Sequence, residues 1–216
     1  MVRNDVRERP PGLSDLHQVP LLMQQEEGLA RLREVALGSA PWRSRKIAET
    51  RKVFGLEQLA DRLTVLAVDA TTDLRVVVSL HTPVPTLPPG ALDLVVEDQA
   101  ELVLHYNEAI LTGPLPGWAM VEILSPRFVL HANVSRSQNA DGFGESQRLC
   151  LGANIPRGYP LTEAILATYA AFTMQSVAID ERDPAGVMNA DAAVWWQENS
   201  DRIPLSQAPF LARAVG

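Results

Sequence analysis

Cysteine is almost missing from this sequence: Cys150 is the only one in 216 residues. A single thiol cannot close an intramolecular disulfide, so a reducing compartment is expected. Lysine is nearly as scarce. Of nineteen basic residues only Lys46 and Lys52 are lysines, and none follows position 52. The four histidines (His17, His81, His105 and His131) are scattered, which leaves no His/Cys cluster with zinc spacing. No apolar run approaches the roughly 20 residues of a membrane span. The start of the chain, Met1 to Pro11, has no apolar h-region, so no secretory signal and a cytoplasmic location are expected. Walker loops, a Gly-x-Gly-x-x-Gly after a strand and a Gly-x-Ser-x-Gly elbow are all missing.

What is present is ordinary globular material, 46% apolar and 21% charged, enough for one large domain with a real core. A net charge of -7 argues against nucleic acid as a partner. The charge is uneven, however. Arg31, Arg33, Arg43, Arg45, Lys46, Arg51 and Lys52 crowd one N-terminal span. That span reads either as a solvated face or as a docking surface for an acidic protein.

Residues 1–14, ending near Pro10-Pro11, read as a flexible tail. Residues 15–61 read as a helical segment. Leu21, Leu22, Gln25, Leu29, Leu32, Val35 and Ala36 keep a 3.6 period, Gly38-Ser-Ala-Pro41 breaks it, and a second helix spans about Ser44 to Leu59. Residues 62–216 read as the core of the same single domain. Leu63–Asp69 and Leu74–Leu80 flank a four-residue turn, as a hairpin does. Four prolines make 82–90 a loop. Leu92–Val96, Leu102–Tyr106, Trp118–Leu124 and Phe128–Leu130 read as further strands, joined by connections too short for crossover helices. Ser135 to Gln147 reads as an exposed polar loop. Thr162 should cap a long helix to Ile179, and Asn189 a final one carrying Trp195 and Trp196. The expected class is α+β: an N-terminal helix, a four-stranded antiparallel meander, a cysteine-bearing loop, and C-terminal helices.

The chemistry centres on Cys150. Between Leu149 and Leu151 it reads as a small buried hydrophobe, or as a reachable nucleophile between a polar loop and Gly152-Ala-Asn. His131 invites pairing with the thiol as a base, or is a structural hydrogen-bonding residue. Asn133 could orient its loop or donate to an oxyanion held at Cys150. Asp180, at a helix end, reads as a solvated carboxylate.

The ordered series His131-Ala132-Asn133, Leu149-Cys150-Leu151-Gly152, Tyr159-Pro160, a long helix, Asp180, Asp183-Pro184 and Asn189-Ala-Asp191-Ala-Ala resembles the ubiquitin-conjugating enzyme family over about residues 100–197. The family's His-Pro-Asn lacks its proline here, and the interval from Asn133 to Cys150 is longer, filled by Asp141-Gly142-Phe143-Gly144. The tryptophan often found after the family's cysteine is also missing. Such divergence is similar to bacterial members from antiphage operons. The resemblance implies that Cys150 accepts a ubiquitin-like modifier as a thioester from an activating enzyme and passes it to an amine of a target protein. It implies Cys150 as the nucleophile, with Asn133, His131, Asp180 and Asp183 around it. ATP is consumed by the partner, so no cofactor is implied. The activating enzyme would dock on the Arg31, Arg33, Arg43, Arg45 and Lys46 region; neither nucleic acid nor membrane is expected. Two other functions stay open: a silent scaffold of the same fold that only binds a ubiquitin-like protein, and a Cys–His hydrolase.

Overall fold

The computed structural model describes residues 25–135, 146–176 and 187–211. The flexible-tail reading of 1–14, the start of the N-terminal helical segment, and both Asp180 and Asp183 lie outside the described residues. No described helix is long and apolar enough to cross a membrane.

Two helices come first, α1 (Gln25–Val35) and α2 (Ala40–Leu59). The second starts four residues earlier than expected. Ser39 caps it, its side chain accepting the Trp42 N–H at 3.3 Å, so Pro41 sits in the first turn, where its missing N–H is no loss. The inner stripe is Trp42, Lys46, Glu49, Thr50, Val53 and Phe54. Two charged side chains therefore take core positions, while Leu59 faces solvent.

The sheet has five strands where four were expected. β1 (Leu63–Asp69), β2 (Leu74–Thr86), β3 (Val95–Tyr106), β5 (Val121–Ser125) and β6 (Gln147–Leu149) pair antiparallel in that spatial order. The first hairpin is as expected, with Leu63 opposite Leu80 and Asp69 opposite Arg75. The proline-rich stretch differs. β2 runs on through Pro83 and Pro85 and stays paired with β3, Pro85 opposite Val96. Beyond Leu80 its other side has lost β1. There the Pro85 carbonyl accepts the Leu130 N–H (2.8 Å), and Leu87 donates to Phe128 (2.9 Å). The missing proline donors therefore leave no gap in a ladder. Of the two strands expected separately, Leu102–Tyr106 falls within the long β3, whereas only Val95 and Val96 of Leu92–Val96 do; Leu92, outside it, is 94% exposed.

A second, two-stranded sheet joins β4 (Leu115–Pro116) to β7 (Asn154–Ile155). Helix α3 (Leu161–Phe172) is shorter than the sequence suggests. Thr162 does not cap it. Pro160 stands at the N-cap without a side-chain bond, and the buried Glu49 carboxylate accepts the Leu161 N–H at 2.8 Å. Met174, with φ 59, turns the chain out of the helix. Helix α4 (Ala190–Glu198) starts as expected, with Asn189 accepting the Ala192 N–H. After it, 203–211 cross α3: Tyr169 donates to the Ala208 carbonyl at 2.8 Å, and Phe210 packs edge-on against Tyr169.

α2 lies on β1 and α3, and α3 lies on β2 and β3. Leu29, Leu32, Trp42 and Val53 thereby share one core with Val76, Leu102, Leu104, Ile165 and Phe172. On the opposite side of the sheet His105 of β3 donates to Glu122 of β5 at 2.6 Å. That hydrogen bond, outweighing partial burial and helped by Ser146 and Arg148, holds the Glu122 carboxyl down at about 2.

Candidate functional site around Cys150

Cys150 is the first residue past β6, an edge strand whose outer side is not left open. Ser135 N–H donates to the Arg148 carbonyl (2.8 Å), Val134 bridges Leu149, and Cys150 N–H donates to the Asn133 carbonyl (2.8 Å). The segment 133–135 thus runs antiparallel to 148–150. Asn133 lies directly across from the cysteine however long the chain between them, because that chain leaves and re-enters at the same place. Gln147 fastens the join. Its side-chain oxygen accepts Val129 N–H at 2.8 Å and its amide donates to the Ser135 carbonyl at 2.9 Å.

Cys150 is partly exposed and its thiol is in no disulfide, the S–H donating to the Gly152 carbonyl at 3.1 Å. On its other flank is Gly117. The Leu151 N–H donates to the Gly117 carbonyl at 3.0 Å, continuing the pairing of β4 with β7. A Cβ at position 117 would stand 1.6 Å from the Gly152 oxygen and 2.9 Å from Cys150 Sγ. Only glycine fits there. Gly117→Ala is therefore expected to push the two loops apart, costing about 2 kcal/mol in urea unfolding and speeding iodoacetamide alkylation of Cys150 several-fold. Unchanged alkylation would mean that Gly117 does not shape the sulfur's surroundings.

His131 is fully buried and belongs to the scaffold of the site. Its Nε2–H donates to the Ala171 carbonyl at the end of α3 (3.1 Å), and its Nδ1 accepts the Asn133 N–H (3.0 Å). Both ring nitrogens are engaged with backbone, so neither is available to the thiol. Burial pushes its pKa down to about 4, against a smaller upward effect of the Ala171 carbonyl. Ala132 between them accepts the N–H groups of Met188 and Asn189, tying this segment to the start of α4. Trp196 of that helix donates to the Leu130 carbonyl.

The basic span divides. Arg31, Arg33 and Arg43 are exposed. Arg45 turns inward, to the Tyr106 hydroxyl (3.0 Å), the Gly158 carbonyl (2.6 Å) and Glu49 (3.3 Å). Lys46 has no exposed surface and donates to backbone carbonyls, so its place on a docking surface is corrected. Gly117, Gln147 and Trp118 were not singled out from the sequence. A glycine or a glutamine carries no periodic signal, and Trp118 read simply as the first residue of a strand. Among the described residues no group of three or more His, Cys, Asp or Glu side chains is arranged to hold a metal ion. No family model, no curated protein and no solved structure matches this chain.

Proposed function

We propose that the chain is a ubiquitin-conjugating-like acyl carrier, in which Cys150 holds a ubiquitin-like protein as a thioester and delivers it to an amine of a target. The observation that carries this reading is a partly exposed Cys150 whose backbone is hydrogen-bonded to that of Asn133 across the edge of the sheet. The α+β order, with helices before a meander and a cysteine between sheet and helices, is in keeping with it.

In the loading step the Cys150 sulfur attacks the acyl carbon of the activating enzyme's thioester. The bond to the enzyme's sulfur breaks, and the Cys150 proton ends on the thiol released. In the delivery step a target ammonium loses a proton to solvent and its nitrogen attacks the Cys150 thioester. An amide forms, the C–S bond breaks, and the thiolate regains a proton. A thioester is reactive enough that desolvation and orientation of the amine suffice. Asp180 or Asp183 would orient that amine, and Asn133 would steady the oxyanion or its own loop. His131 would act by holding Asn133. Of the proposed docking cations, Arg31, Arg33 and Arg43 would meet the activating enzyme. A Cys–His hydrolase gains no support, since an imidazole already engaged on both sides cannot serve as base.

The test is to incubate the chain with an adenylating enzyme, its ubiquitin-like protein and ATP. The expected product is an adduct on Cys150 that dithiothreitol reverses, lost in Cys150→Ala and converted to a reductant-stable ester in Cys150→Ser. If Cys150 stays unmodified while the modifier still binds non-covalently, the silent-scaffold reading replaces this one.

A further inference from the structure

The far end of the β2–β3 hairpin stands apart from the rest of the sheet. β5 pairs with β3 from Leu104 back to Glu101 and stops there, at Ser125, and β1 leaves β2 at Leu80. Past that point a bulge sets Thr82 and Pro83 of β2 against Asp98 alone and re-aims the ribbon. Its β2 side is covered by 128–130, but among the described residues nothing pairs with its β3 side over 95–100. The register gives the direction of the uncovered backbone. The Pro85 carbonyl points away from β3, to the Leu130 N–H. Pro85 and Val96 therefore face each other without exchanging hydrogen bonds, and the N–H and C=O of Val96 point outward. By alternation those of Asp98 do too. The side chains of Val95, Val96, Glu97 and Asp98 are all exposed.

A strand with outward amides and solvent on both faces is a template for another strand. Val95 and Val96 put one β-branched side chain on each face, and Glu97 and Asp98 follow each of them with a carboxylate. The surroundings are acidic as well. No lysine or arginine occurs between Arg75 and Arg127, an interval that holds Asp93, Glu97, Asp98 and Glu101. Arg202 reaches Asp93 at 3.8 Å, but among the described residues Glu97, Asp98 and Glu101 make no ion pair. Two copies pairing through this edge would set carboxylates against carboxylates, which disfavours self-association and leaves the edge open to a cationic strand. We infer that the outer edge of β3 at 95–98 takes up an extended segment of another protein as an added strand. That segment has two adjacent cations to meet the carboxylates and two adjacent β-branched residues to meet the valines. Backbone bonds to Val96 and Asp98 supply affinity, and charge selects the partner. The edge shares no residue with the Cys150 site, and its role stands whether or not that thiol carries an acyl group.

The probe is a fluorescein-labelled, end-capped peptide, Ser-Thr-Arg-Arg-Val-Val-Thr-Ser, titrated with the full chain and followed by anisotropy. Its controls are a Glu-Glu counterpart and a form N-methylated at alternate residues, which keeps both charges and loses the amide donors on one edge. Each control is expected to bind roughly tenfold more weakly. With the unmodified peptide bound, amide exchange at Val96 and Asp98 should slow by about tenfold or more. Val96→Pro should cost roughly tenfold in affinity at an unchanged urea midpoint, because it removes an N–H that serves no bond within the sheet. Glu97→Lys combined with Asp98→Lys leaves the backbone untouched and should reverse the preference, so that the Glu-Glu peptide binds better; this variant keeps the test if the proline variant does not fold. A basic peptide that binds without slowing exchange at Val96 and Asp98, or that binds Val96→Pro equally well, would mean attraction of charge alone and overturn the added strand. Equal affinity for the Arg-Arg and Glu-Glu peptides would overturn the choice of partner. So would a full chain that self-associates in sedimentation and is made monomeric by Val96→Pro, since the occupant is then a second copy.

Discussion

Lys46→Met is expected to lower the unfolding free energy by about 3 kcal/mol. For a chain of this length that is a fall in Tm of roughly 6–12 °C. The Lys46 ammonium reaches the carbonyls of Leu37 (2.8 Å), Thr71 (2.9 Å) and Thr72 (3.1 Å), and that of Ala70. The first ends the link from α1, and the other three form the β1–β2 turn, so one side chain closes the helical corner onto the sheet. Trp42 supports the same corner, donating to Thr72 and stacking on Tyr106. Burial pushes the Lys46 amine below its ordinary pKa, yet the carbonyls around it give the ammonium donors somewhere to go. Methionine keeps the length and removes every donor, so the carbonyls lose their partner without gaining water. Lys46→Arg should recover little, because a planar guanidinium cannot turn its donors onto carbonyls clustered about one point as the three N–H groups of an ammonium do. Urea unfolding of the three proteins with an unchanged m-value is the measurement. A methionine variant within about 0.5 kcal/mol of the parent would show that the carbonyls are satisfied without the ammonium.

Lys46 also marks where the sequence stops being legible. Period, caps and turn chemistry are local, and they give the β1–β2 hairpin, the Asn189 cap and the α+β class. Lys46 and Glu49 look like a solvated helix face until the partners that justify burying them are known: the Thr71–Thr72 turn for one, the Leu161 N–H for the other. Those partners are distant in sequence, and no periodicity encodes them. Pro83 and Pro85 misled for the same reason, since whether a proline interrupts a strand depends on which neighbour has ended beside it. At the site, Cys150, Asn133 and His131 stand out as residue types. The ladder that sets Asn133 opposite Cys150 depends on a three-residue strand, β6, too short to show a pattern. Gly117 is legible only from what would collide with a methyl group there.

Acid is expected to act on this protein first through His131. Its ring must be neutral to accept the Asn133 N–H on Nδ1 while donating to Ala171 from Nε2. An unfolded chain takes up this proton near pH 6.5, whereas the native protein resists until about 4. Between those values the unfolded state binds more protons, so stability falls as pH falls from about 6.5 to about 4, and His131 adds no further loss below that. The whole effect is about 3 kcal/mol, a large part of a domain's usual margin. In the native protein the ring takes up its proton only near pH 4, so the bond it accepts from the Asn133 N–H is expected to break there and not before. In His131→Gln the side chain still offers a donor and an acceptor and no longer titrates. That variant should start less stable at neutral pH, by about 1–3 kcal/mol, and stay flat from pH 6.5 to 4 where the parent declines. Chemical unfolding at half-unit steps of pH separates the two curves. A parent as stable at pH 4 as at pH 7, or a glutamine variant with the parent's acid slope, would place the proton elsewhere and leave His131 as an ordinary buried contact.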